Sequence, residues 1–326
     1  MSRSVIRFLH APAGAAASSG PPRWGVLFDR HIAPLDLPCT STGELVRHGL
    51  AQAWAATPAQ ARIPLDDVRL LSPVTSDQQF LCQGINYASH VRESGMDPAA
   101  IPFNTFFTKS PHCITGPCDD VVRPAHVRLL DYEIELGLVM KADLRAPRQV
   151  TTEDLPELLA GITIVNDLSA RDIQLPQTQF YKGKSYRGFG PVGPTLLLLE
   201  PQEWALLDQL RMELRVNGLP RQNDLCAHMI YKPHRTLTEL SGLHDVLAGD
   251  LIATGTPAGC AAKAPGKLAM ALARHLLSDT RKWALFIQRG LQNPLYLQPG
   301  DVMELSIRTD DGQLDLGRQR TRVVAA

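Results

Sequence analysis

Two glutamates, Glu133 and Glu135, stand two residues apart in Asp131-Tyr132-Glu133-Ile134-Glu135-Leu136-Gly137, within an apolar run that continues through Leu138, Val139 and Met140. Strand side chains alternate between faces, so this spacing aims both carboxylates at one side of a sheet. Like charges there repel and lose hydration, and the pair is stable only if a cation or protons neutralise it. A hard divalent metal is the natural candidate. Asp167 follows the apolar run 162–165 and either offers a third oxygen ligand or caps a helix starting at Leu168. Three carboxylates with water suit Mg2+ or Mn2+, whereas zinc favours histidine and cysteine.

His90 and Glu93 lie three apart, which on a helical turn gives them a common face. A carboxylate beside an imidazole raises its basicity and fixes its ring, making a general base for water; on an open surface the same pair is plain solvated charge. Lys184 stands in the Gly-rich stretch Lys182-Gly183-Lys184-Ser185-Tyr186-Arg187-Gly188-Phe189-Gly190, which reads as a loop. There it would meet a substrate carboxylate or a developing enolate, or simply remain in water. Thr254-Gly255-Thr256-Pro257-Ala258-Gly259 offers backbone N–H groups and hydroxyls to an anion, or is a tight turn.

These side chains have to be held by strands. Short β-type runs separated by Gly, Pro and Asp recur at 79–83, 104–109, 132–140, 162–166, 195–199, 212–216, 251–254 and 302–307, with helices at 152–159 and 237–243. The pattern predicts an α+β fold that is mostly β. Ahead of it, two strands at 4–9 and 24–28, joined by a small-residue loop at 11–22, precede a helix over 42–56 with Thr42 as its cap. Residues 1–72 would form a small N-terminal α+β domain and 73–326 the main one, with 68–73 as the strand and linker between them. Two basic amphipathic helices, 267–276 and 281–289, interrupt the β pattern.

Composition narrows the field. Lys+Arg and Asp+Glu are equal at 33 each, so nothing favours a polyanionic partner, and nucleic acid drops out. Six scattered cysteines form no C-x-x-C pair and read as reduced thiols. The first ten residues are too polar for a signal peptide and no apolar run is long enough to cross a bilayer, so the expectation is a cytoplasmic protein without a membrane partner.

Five motifs occur in one order: Gly84-Ile85-Asn86-Tyr87-Ala88-Ser89-His90, Asp131 to Gly137, Asn166-Asp167-Leu168-Ser169-Ala170-Arg171-Asp172, Lys184-Ser185, and Gly249-Asp250-Leu251-Ile252-Ala253-Thr254-Gly255-Thr256-Pro257. Together they resemble the fumarylacetoacetate hydrolase family over about 75–260, and again at Pro299-Gly300-Asp301-Val302. The resemblance implies the family's mixed β-roll, a homodimer, and Mg2+ or Mn2+ held by Glu133, Glu135 and Asp167 and chelated by the substrate. His90 and Glu93 are similar to the catalytic dyad of the acylpyruvase and oxaloacetate decarboxylase branch. Lys184 would join them in catalysis, while Tyr87, Arg171, Gln174 and Thr256 would bind a small oxo-acid.

The reaction expected first is hydrolysis of a C–C bond in a 1,3-dioxo acid, an acylpyruvate or fumarylacetoacetate-like compound of aromatic catabolism. Water activated by His90 and Glu93 would add to the distal carbonyl, leaving a pyruvate enolate to the metal and Lys184. An oxaloacetate-type decarboxylase or a hydroxydienoate isomerase or hydratase would use the same enolate-stabilising site. A non-catalytic binding protein is the reading from another class. The chain departs from the branch in a 39-residue insert, 260–298, that would either cover the active site or pack peripherally.

Overall fold

The computed structural model describes residues 1–11, 19–263 and 277–326. Its largest sheet has eleven strands. In spatial order ten of them are Ile63–Pro64, His31–Pro34, Ser19–Phe28, Arg3–His10, Leu196–Leu198, Leu159–Asn166, Ile134–Met140, Leu251–Ala253, Phe80–Gly84 and Thr105–Lys109; Val68–Leu71 pairs beside Arg3–His10. A second sheet of five strands runs Leu219–Leu225, Leu210–Val216, Val302–Thr309, Asp315–Ala325 and Val121–Arg123. Most pairings are antiparallel, but Leu251–Ala253 lies parallel to Phe80–Gly84, and Asp315–Ala325 parallel to Val121–Arg123. The sheets are therefore mixed, and the fold is the β-rich α+β type.

The Ile134–Met140 strand is buried along its whole length. Ile134, Leu136, Leu138 and Met140 enter the larger core cluster, shared with Met212, Leu305 and Ile307 of the second sheet. Val139 belongs to a separate cluster on the other face, with Val165, Leu251 and Ala253. Apolar packing on both faces explains the near-continuous hydrophobic run. Glu135 and Gly137 share the Val139 face by the two-residue period.

Residues 1–72 do not own a separate sheet. Arg3, Ser4 and Val5 pair with Leu198, Leu197 and Leu196, so the N-terminal strands extend the catalytic sheet. The helix expected over 42–56 forms as Thr42–Glu44, Leu45–Gly49 and Leu50–Ala55. Its cap is Ser41 rather than Thr42: Glu44 N–H donates to Ser41 Oγ, and the Glu44 carboxylate accepts Ser41 N–H. Thr42 Oγ1 instead donates to Pro73 O at 2.9 Å and accepts from Thr75 N–H at 2.8 Å, tying the helix to the linker.

Two other expectations change. The helix at 152–159 shrinks to Leu155–Leu158, because Leu159 already starts a strand. Of the two helices in the insert, 267–276 lies outside the described residues, and the second runs Asp279–Gly290 with Ser278 as its cap. All six cysteines are free thiols.

Gly161 sits where the Leu159–Asn166 strand crosses Leu196–Leu198, and a Cβ there would overlap the Leu197 carbonyl. Because the obstacle is backbone, Gly161→Ala is expected to cost about 1–3 kcal/mol and to lower the thermal midpoint by several degrees in calorimetry. An unchanged midpoint would mean that the two strands separate more easily than their pairing suggests.

Candidate active site

The pairing register assembles the site. Ile134 lies opposite Asn166 in the antiparallel pair, and Asp167 N–H donates to Glu133 O at 2.9 Å, so the acid ending one strand lands beside the acid preceding the other. From the strand on the other side, Gly255 N–H donates to Glu135 Oε2 at 2.9 Å. Glu133, Glu135 and Asp167 each present a carboxylate oxygen, and all three oxygens lie within 4.8 Å of one another. All three residues are buried, at 4%, 2% and 0% exposure, so neutralisation must come from within the protein.

Three cations provide it. Lys184 Nζ bridges Glu133 Oε2 and Asp167 Oδ2. Lys109 Nζ donates to Asp167 Oδ1 at 2.5 Å and to Phe189 O at 2.7 Å. Arg171 spans Glu133 Oε1 at 2.5 Å, Asp131 Oδ2 at 2.8 Å and Gln174 Oε1 at 2.9 Å. Lys184 also stands 5.2 Å from the Phe107 ring centroid, a cation–π contact.

Among the described residues four acids face three cations, and the fourth acid is Glu135, whose carboxylate accepts only Gly255 N–H. Burial, with the charges of Asp167 and Glu133, pushes Glu135 well above the usual carboxylate range. Glu133 behaves oppositely: burial opposes its ionisation, but Arg171 and Lys184 outweigh it and hold the carboxyl well below that range. Lys184 loses hydration, yet Asp167 and Glu133 keep it firmly protonated. An all-oxygen, buried donor set with one uncompensated acid fits a hard divalent cation such as Mg2+ or Mn2+.

A cavity of about 60 Å³ joins these acids to His90, Arg171, Gln174, Lys184 and Thr256, with Ile85, Phe107 and Phe180 as apolar walls. Ile85 has φ of +56°, an unfavourable region for a β-branched side chain, and such outliers concentrate at functional sites. His90 Nδ1 is buried without a hydrogen-bond partner. Burial lowers the imidazole pKa from its ordinary 6.5, despite the pull of Glu133, so the ring is neutral at pH 7.

Among the described residues no hydrogen bond joins His90 Nδ1 to Glu93, although the Glu93 charge acts on the imidazole. Glu93 Oε2 accepts Gly259 N–H at 2.9 Å and Oε1 lies 3.4 Å from Lys263 Nζ, so this carboxylate clasps the helix Ala88–Glu93 to the turn. Tyr87 also departs from expectation. It is fully buried, with its hydroxyl against Met212 Sδ and Cys226 Sγ, and it contributes to the core rather than to the cavity. Thr256 lines the cavity while its hydroxyl donates to Ile134 O at 2.9 Å. Lys184 lies on a short helix, Phe180–Lys184, where a loop was expected.

Two contributors escaped the sequence reading. Lys109 ends the aromatic strand Thr105–Lys109, and a lysine closing an apolar strand was the available signal. Asp131 sat in the quoted motif but was not given a role; it holds Arg171 and accepts Ala261 and Ala262 N–H at 2.8 and 3.0 Å, fixing the root of the insert.

The family model for the fumarylacetoacetate (FAA) hydrolase C-terminal region matches residues 79–324. The chain belongs to the fumarylacetoacetate hydrolase family. A second family model, Rv2993c-like N-terminal, matches residues 6–73. Among relatives of this fumarylacetoacetate hydrolase family member, the oxaloacetate tautomerase YisK of Bacillus subtilis is 35% identical over 86% of each chain. A solved fumarylacetoacetate hydrolase from Exiguobacterium antarcticum superposes with a TM-score of 0.75 at 30% identity, covering 99% of this chain and 100% of that one. A probable 2-hydroxyhepta-2,4-diene-1,7-dioate isomerase from Mycobacterium abscessus gives 0.72 at 28% identity, covering 100% and 99%. No helix among the described residues is long and apolar enough to cross a membrane.

Two outcomes test this charge network. Lys109 is 1% exposed, and Lys109→Met would leave Asp167 short of a buried partner, so a loss of about 3–5 kcal/mol is expected in denaturant unfolding. A wild-type midpoint and slope would mean that Lys184 alone neutralises Asp167. Because Glu135 holds its proton above the usual range, metal must displace that proton. Below the raised pKa, apparent affinity should therefore climb with pH, by about tenfold per unit, in calorimetric titration with Mg2+ or Mn2+. A flat pH profile would show Glu135 already ionised.

Proposed function

We propose that this chain isomerises enolisable 2-oxo diacids of the oxaloacetate class, moving a proton between carbon and the enol oxygen without breaking the carbon skeleton. The observation that carries this reading is the condition of His90, which lines the cavity, lacks a carboxylate on Nδ1 and is neutral. A neutral imidazole can take a proton from the carbon next to a carbonyl. Hydrolysis also demands an oriented, activated water, and the glutamate expected to support that base is engaged by Gly259 and Lys263. The small cavity and the tautomerase and isomerase names of similar proteins support the same choice.

The chain's own residues divide the work. His90 accepts the proton from carbon and returns it to oxygen, so the proton count balances and no bond between carbons changes. Lys184 uses two of its three N–H groups on Glu133 and Asp167, leaving one for a developing enolate oxygen. Arg171 uses three of its five on Glu133, Asp131 and Gln174, leaving two for a substrate carboxylate. Phe107 and Phe180, with ring centroids 5.1 Å apart, limit the water around the reacting carbon. Held by Glu133, Glu135 and Asp167, Mg2+ or Mn2+ would supply Lewis acidity towards the oxo group.

The test follows enol-oxaloacetate absorbance with Mg2+, with Mn2+ and with chelator, alongside NMR of deuterium uptake in D2O. Metal-dependent acceleration of both, without pyruvate release, is the expected result. Pyruvate from an acylpyruvate, or CO2 from oxaloacetate, without faster deuterium uptake would replace the proposal with hydrolysis or decarboxylation. His90→Gln should lower kcat/KM by about 100- to 10,000-fold. Since the base works unprotonated and burial depresses its pKa, the acid limb of the kcat/KM profile should fall below pH 6.5.

A further inference from the structure

A larger cavity, about 580 Å³, lies away from the acid cluster, where the N-terminal strands meet the first catalytic segments. Arg7, Thr40 and Ser41 line it from one part of the chain, Ser76 and Asp77 from just after the linker, and Thr115, Gly116 and Asp119 from further on. Its size falls within the range of small-molecule sites.

Most polar groups around it are already satisfied. Asp119 accepts from Arg69, Thr115 Oγ1 and Gly116 N–H at 2.7, 2.8 and 2.8 Å. Thr40 and Ser41 are held by Glu44, Thr75 by Thr42, and Ser72 by Val74. Arg7 is the exception. Its Nε is buried without a hydrogen-bond partner, and its guanidinium carbon stands 5.9 Å from the Trp24 ring centroid. Asp77 also lines the cleft; it is exposed and receives only Gln78 Nε2, at 2.8 Å. Among the described residues no ion pair joins Arg7 to Asp77 or to any other carboxylate.

For this half-buried guanidinium, burial outweighs the charge of Asp77, which acts on it without a direct ion pair, a deficit that a carboxylate would relieve through charge-assisted hydrogen bonds. A dianion would meet Asp77 and Asp119, and a simple cation would meet Arg7. A molecule carrying both signs satisfies both walls. We propose that this cleft is a second ligand site for a small zwitterion of the α-amino-acid type, with its carboxylate on Arg7 and its ammonium towards Asp77 and Ser76.

Binding is read by saturation-transfer NMR and calorimetry on the full chain, using glycine, L-serine, acetate and methylammonium as probes. The zwitterions should bind and the two single-charge probes should bind much more weakly. Arg7→Gln should weaken glycine binding about 10- to 100-fold, Asp77→Asn should weaken it severalfold, and His90→Gln should leave it unchanged. Thermal unfolding checks that Arg7→Gln is folded, and Asp77→Asn, at an exposed position, serves as the second probe if it is not. Failure of both zwitterions to bind, acetate binding as tightly as glycine, or binding lost in His90→Gln but kept in Asp77→Asn would each overturn the proposal.

Discussion

The structure is organised around one electrostatic constraint: four carboxylates, Asp131, Glu133, Glu135 and Asp167, are buried beside only three cations among the described residues, Lys109, Arg171 and Lys184. Charges removed from water demand close partners. Each cation reaches the cluster from a different element: the end of the Thr105–Lys109 strand, the start of the Arg171–Gln177 helix and the end of the Phe180–Lys184 helix. The imbalance raises the pKa of Glu135 and gives the pocket an appetite for a cation.

The clasp around His90 follows from the same economy. Ser89 Oγ donates to Asp224 Oδ2 at 2.5 Å and accepts Ala258 N–H at 3.2 Å, while Glu93 accepts Gly259 N–H. Two consecutive backbone donors of the turn are thus taken by the short helix that also carries His90. Gly259 can serve there because its φ of +108° suits glycine, and because a Cβ would strike the Arg221 carbonyl.

Much of the site was legible because its signal was local. The two-residue spacing of Glu133 and Glu135, the acid after an apolar strand, and the ordered motifs are all written in short segments. The partners were harder. Lys109 reaches Asp167 across 58 residues of sequence, and Arg171 reaches Asp131 across 40. No periodicity announces such pairings, since they depend on strand register and on which ends meet. Glu93 misled because sequence spacing gives a shared helix face without saying which neighbour competes for the carboxylate. The N-terminal strands were recognised, but their union with Leu196–Leu198 was not, since an edge partner leaves no mark in the alternation of either strand.

That union has an evolutionary reading. The segment matched by the catalytic family model begins after the N-terminal strands, yet in this chain Leu196–Leu198 has Arg3–His10 as its neighbour on one side. Without that strand, the sheet would end in a row of unpaired amides flanked by leucines, a template for association with other chains. A family member lacking this N-terminal piece must therefore shield the same rim by another route, and loss of the piece by recombination would expose a sticky border rather than release a free-standing catalyst.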